Sequence, residues 1–93
     1  MAKMYVKKPI PVEAMQYTGK NIDEVQDFCQ SVVVEDGWLK VHTLEGFMKA
    51  PHKRGDYVVK GTIGEFYICD KKIFEDTYEE VDGRQYVGSS SMF

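Results

Sequence analysis

Cys29, His42, His52 and Cys69 carry the side chains in this 93-residue chain best suited to holding zinc or attacking a carbonyl. Their separations of 13, 10 and 17 residues contain no close Cys-x-x-Cys or His-x-x-x-His pair, the spacing that lets one loop or helix turn present two ligands together. The pattern therefore predicts no metal site and no cofactor. Neither cysteine lies in a glycine-rich elbow or at an exposed helix start, where a thiolate would be stabilised, so both read as reduced, buried thiols. The carboxylates gather on two outward helix faces (Asp23, Glu24 and Asp27; Glu75, Asp76, Glu79 and Glu80). Such clusters mark solvated surface. Glu13 and Glu65 fall in strands, but nothing in the sequence pairs them. These residues give no catalytic constellation, and the expectation is a protein that is not an enzyme.

Basic and aromatic residues are more promising. Lys49, His52, Lys53, Arg54 and Lys60 cluster around one loop and the strand after it, beside Gly55, Gly61 and Gly64. Glycine-lined backbone N–H groups beside cations can cradle a phosphate. Lys53, Arg54, Lys60 and His52 are thus a candidate anion site, and a nucleotide or other anionic small-molecule binder that sequesters a signal is the second functional reading. Trp38, Phe47, Tyr57, Phe66, Tyr67 and Tyr78, with Met15 and Met48, exceed what one small core hides. Trp38, Phe47, Met48 and Tyr57 are the candidate partner surface, because exposed aromatics and methionines on a sheet face favour protein contact.

Arg54-Gly55-Asp56 spells an integrin-binding tripeptide. Any three-residue string is common, and this one precedes "DYVVK" with Gly for a positive φ and Asp to bond back to the turn. It is read as a turn into a strand.

The elements that position these residues follow from periodicity. "IPVEAMQY" (10–17) reads as a strand entered from an extended arm, and "NIDEVQDFCQ" (21–30) as a helix with Ile22, Val25, Phe28 and Cys29 on one face. Asn21 and Glu24 have the spacing of a capping box. "SVVVED" (31–36) is a short strand stopped at Asp36-Gly37. "WLKVHTL" (38–44) alternates, with Leu39, Val41 and Thr43 opposite Trp38, Lys40 and His42, and Glu45-Gly46 turns it into "FMKA" (47–50). "DYVVK" and "EFYIC" form a hairpin around Gly61–Gly64. Asp70 caps a helix expected over 71–81, with Ile73, Phe74, Thr77, Tyr78 and Val81 as its apolar stripe. Lys71 and Lys72 at its start and Glu79 and Glu80 at its end oppose the helix dipole. A single α+β domain over 1–81 results, one curved and mainly antiparallel sheet of about five or six strands with two short helices packed on it, and a flexible tail over 82–93.

Bulk properties agree. A chain this short buries only roughly 60–65% of its unfolded surface, which leaves little room for an enclosed site. Net charge is −3, with 12 basic and 15 acidic residues, so nucleic acid is an unlikely general partner. The first 15 residues have no apolar core of signal-peptide length, and no apolar run approaches a membrane span.

"KKPIPVEAMQY", "TLEG", "RGDYVVKG", "GEFYIC" and "IFEDTYEEV" together resemble a family of small uncharacterised bacteriophage and prophage proteins. The likeness covers roughly residues 5–81; Arg54 departs from it, standing where the family pattern has Pro. The resemblance implies a phage accessory gene acting in the host cytoplasm, and it brings no catalytic residues. The function expected is non-enzymatic binding of a host or phage protein, with a homodimer built on the 38–50 hairpin as a possible assembly.

Overall fold

Val12 and Ala14 alternate with Glu13 and Met15 along Pro11–Gln16, and this period of two makes strand β1. The computed structural model of the protein describes residues 2–4, 10–43 and 45–88. Helix α1 (Ile22–Phe28) follows, then β2 (Val33–Glu35), β3 (Trp38–Thr43), β4 (Gly46–Pro51), β5 (Tyr57–Lys60) and β6 (Phe66–Cys69). Helix α2 (Lys71–Thr77) leads directly into β7 (Tyr78–Asp82), and β8 (Gln85–Gly88) closes the described chain. The class is α+β and every strand pairing is antiparallel.

The strands divide between two sheets, where the sequence reading has one. Five form a sheet in the order β6-β5-β1-β8-β7, and three form a second in the order β2-β3-β4. The larger sheet is apolar on both sides. On one side Met15, Val58, Phe66 and Ile68 pack with α1 and with the inward residues Leu39, Val41 and Ala50 of the smaller sheet. On the other, Val12, Ala14, Tyr57, Val59, Tyr67 and Tyr86 receive Phe74 from α2. Strand β5, between β6 and β1, is buried along most of its length for this reason, and three-layer packing gives a short chain two cores.

Local chemistry explains the boundaries. Asp36 (φ 53°) and Gly37 (φ 82°) both take the left-handed region, so β2 and β3 are joined by a two-residue turn whose twist suits a hairpin. Asp70 caps α2 as expected, its Oδ1 accepting from the Lys72 and Ile73 N–H groups. Asn21 does not cap α1: its Oδ1 accepts from Thr18 N–H at 2.9 Å and its Nδ2 donates to the Gln16 carbonyl, fastening the preceding turn to β1.

The end of the chain differs most from expectation. Helix α2 stops at Thr77, not at residue 81. Glu79 and Glu80 would have stood at its negative end; they lie instead in β7, where that penalty vanishes. Ile73 and Val81 are exposed, and Phe74 alone of the expected stripe is fully buried. Residues 82–88 are not a free tail, since β8 pairs with both β7 and β1 and carries Tyr86 into contact with Phe74. The lysine-rich arm at 5–9, position 44 within "TLEG", and the tail beyond 88 lie outside the described residues.

The second core has a pH signature. Burial is the main cause that raises the Tyr57, Tyr67 and Tyr86 hydroxyls above the ordinary tyrosine range; Tyr57 also donates to Glu75 Oε2 at 3.0 Å. A raised folded-state pKa means that the unfolded chain loses its tyrosine protons first. This contribution is complete below about pH 10 and falls away as pH rises through the shifted values. The melting temperature is expected to drop steeply above about pH 10, and less steeply in Tyr67→Phe. An identical alkaline slope in the two proteins would contradict this burial.

Candidate docking face

Strand β3 turns Leu39 and Val41 inward and leaves Trp38, Lys40 and His42 outward. Cross-strand register then adds their neighbours. Phe47 stands opposite His42, Lys49 and Val33 flank Lys40, and Pro51 and Glu35 flank Trp38. The outer face of the small sheet is thus three rows: Trp38 with Pro51, the lysine pair, then His42 with Phe47. Phe47 is 59% exposed and Trp38 38%. The inner side is packed tight by Leu39, Val41 and Ala50, so the outer side chains are displayed from a fixed platform.

The charges on this face are arranged around its rings. Lys49 Nζ lies 4.9 Å from the centre of the Trp38 ring, and Lys40 Nζ lies 5.9 Å from that of Phe47. Lys40 also reaches Glu35 Oε1 at 2.7 Å, which holds the Glu35 carboxyl below its usual range. His42 meets Phe47 edge-on at 6.5 Å. Ser31, Val33, Glu35, Lys40, Val41, His42 and Phe47 line a shallow depression of about 200 Å³. An open, slightly basic aromatic surface of this kind can hold a partner.

Not every residue expected at a partner surface lies here. Trp38 and Phe47 do. Met48 pairs with Val41 and so stands on the other side of β4, where it is 40% exposed. Tyr57 is only 8% exposed and stacks on Phe74 with ring centres 4.0 Å apart, so it belongs to the core. "DYVVK" has no polar alternation to mark an inner and an outer side, and burial on both faces is the reason.

The basic loop does not assemble. Arg54 is committed to Asp56, its Nη2 to Oδ2 at 2.6 Å, with Asp70 at 3.5 Å. That bond to Asp56 is the main cause of the raised Arg54 pKa. His52 is half-buried against the Asp36-Gly37 turn, its N–H donating to the Gly37 carbonyl at 3.2 Å. Lys53 is exposed, and Lys60 sits opposite Glu13 at the far end of β5, roughly 13 Å of strand away. The integrin reading of residues 54–56 fails on burial: Asp56 is 1% exposed, Gly55 has φ 83°, and the Gly55 carbonyl accepts from Gln16 Nε2. The tripeptide is a turn.

Cys29 is buried beside Ser31, and Cys69 is half-buried with its thiol pKa raised, first by burial and then by Asp70 and Asp56. No group of three or more potential metal ligands occurs among the described residues. Native protein at neutral pH is expected to react with iodoacetamide far more slowly at either cysteine than denaturant-unfolded protein does. Rapid native modification of Cys69 would reopen a thiol chemistry.

The lysine pair and His42 belong to this face, and a list of aromatics alone misses them. The alternation of 38–44 already groups Lys40 and His42 with Trp38. Carrying that alternation across the hairpin by register keeps Phe47, adds Lys49 and removes Met48. No family model matches the chain, nor does any curated protein or solved structure. No described helix is long and apolar enough to cross a membrane.

Proposed function

We propose that the chain is a non-enzymatic binding protein of phage or prophage type, acting in the host cytoplasm by docking a host or phage protein on the outer face of the small sheet. The observation that carries this reading is the exposure of Trp38 and Phe47, with a lysine pair between them, on one face of a sheet whose other face is packed. Tryptophan held in such a setting is the residue type that most often dominates binding energy. The rival reading, an anion site from Lys53, Arg54 and Lys60, has less support because Arg54 is already neutralised and Lys60 lies apart.

Affinity capture from bacterial extract tests the proposal. Wild-type protein should retain a specific protein that Trp38→Ala/Phe47→Ala loses and that Ile73→Ala, altered on exposed α2, keeps. Retention unchanged by the double substitution would contradict the assignment of the face. A panel of nucleotides addresses the rival: a melting shift of several degrees at saturating nucleotide would favour it, since bound ligand stabilises the folded state.

A further inference from the structure

Resting on the docking reading above, we infer that the occupant of the outer face is an acidic peptide segment of a partner protein, with carboxylates meeting Lys40 and Lys49 and apolar side chains meeting Trp38 and Phe47. Lys40 and Lys49 are direct cross-strand partners on one face, where like charges repel. Glu35 neutralises one of them, through Lys40. Among the described residues no carboxylate forms an ion pair with Lys49, which rests on the Trp38 ring. A carboxylate from outside would relieve the repulsion between the two lysines, which uncharged or basic partners cannot do.

The balance of charge on this face is opposite to that of the chain as a whole. The whole chain is net −3, and exposed carboxylates populate α1 (Asp23, Glu24, Asp27) and the α2–β7 region (Glu75, Asp76, Glu79, Glu80). The outer face of the small sheet presents two lysines, one glutamate and a histidine. The face carries net positive charge on an acidic protein, and charge complementarity favours an acidic visitor.

Two other occupants fit less well. A second copy applied face to face about a two-fold axis would bring four lysines together, so the homodimer expected on this hairpin has the wrong charge at this face. Single-stranded nucleic acid needs ring faces free for base stacking, and here ammonium groups already lie over both rings. The surrounding acidic surface also repels a long polyanion. A short acidic segment adding along the face avoids both difficulties.

Trp38 is the only tryptophan in the chain, so its fluorescence reports occupancy of this face alone. The full chain is titrated with a short peptide of alternating Glu and Leu, with the same peptide carrying Lys or Gln for Glu, and with a thymidine oligonucleotide. The expected result is a saturable change in Trp38 emission with the Glu peptide only, weakened by salt and by about tenfold in Lys49→Glu. Lys49→Gln, a milder change, should weaken it less, and both variants should keep the wild-type melting temperature. A response to the Lys or Gln peptide would overturn the acidic partner yet leave the docking face standing. A response to the oligonucleotide, or to none of the probes, would overturn the inference, and the capture experiment would then judge the face separately. A doubled mass by light scattering that Trp38→Ala abolishes would overturn it too, because a second copy would fill the site.

Discussion

Phe74→Ala is expected to cost about 3–5 kcal/mol, the largest effect of any single truncation in this chain. Phe74 is 1% exposed and is the one fully buried side chain of α2. Its ring stacks on Tyr57 at 4.0 Å and Tyr78 at 4.6 Å, and meets Tyr86 edge-on at 4.9 Å. Deletion removes the contact that fastens α2 to the face of the larger sheet, against Tyr57 of β5, Tyr78 of β7 and Tyr86 of β8, and it leaves a cavity between three rings. A domain of this size has a total stability of roughly 5–15 kcal/mol, so the variant should be close to unfolding at physiological temperature. Denaturant titration reads the loss. Ile73→Ala, one residue away and exposed, should stay within about 0.5 kcal/mol of wild type. A loss below about 1 kcal/mol for Phe74→Ala would mean that the second core is not formed.

Asp56→Ala is expected to follow, at about 3 kcal/mol. The buried carboxylate accepts from Arg54 Nε and Nη2 and from the Lys71 N–H at 2.9 Å, and so joins the turn before β5 to the start of α2. Bonds to a charged acceptor are worth about 1.5–3 kcal/mol each when the donor is left unsatisfied, and the Lys71 N–H is such a donor. Arg54 is half-exposed and water can replace its partner, so most of the cost falls on the backbone side. Asp56→Asn keeps the volume and one acceptor oxygen and should lose clearly less. Thermal and denaturant unfolding of both variants decide it. An Asp56→Ala protein as stable as wild type would show that the carboxylate has no structural task, and the tripeptide would again need another explanation.

These residues also show what a linear reading can reach. The α1 stripe, the inward and outward sides of β3 and the Asp70 cap depend on neighbours within a few positions, and all three stand as the sequence pattern predicts. The division into two sheets depends on packing between residues far apart, such as Leu39 with Val58, which no local period encodes. The region after Thr77 was read as helix and then tail because Tyr86 and Val87 become a strand only when β1, some 70 positions earlier, supplies the hydrogen bonds. Tyr57 was placed at the surface because a strand buried on both sides carries no alternation. For the site, sequence located Trp38 and Phe47 on the outward side of a hairpin. It did not show that this side stays uncovered while both faces of the larger sheet are filled. It also offered the basic loop as a rival, since the ion pair between Arg54 and Asp56 looks in sequence like two free charges.

The most direct measurement is site-specific photo-crosslinking in bacterial cells. A photoreactive side chain replaces Phe47 on the outer face of the small sheet in one version of the protein, and Ile73 on exposed α2, across the larger sheet, in another. Docking on the outer face predicts a discrete protein adduct from position 47, lost when Trp38→Ala is added, and none from position 73. An adduct from 73 alone, or equal adducts from both positions, would contradict it.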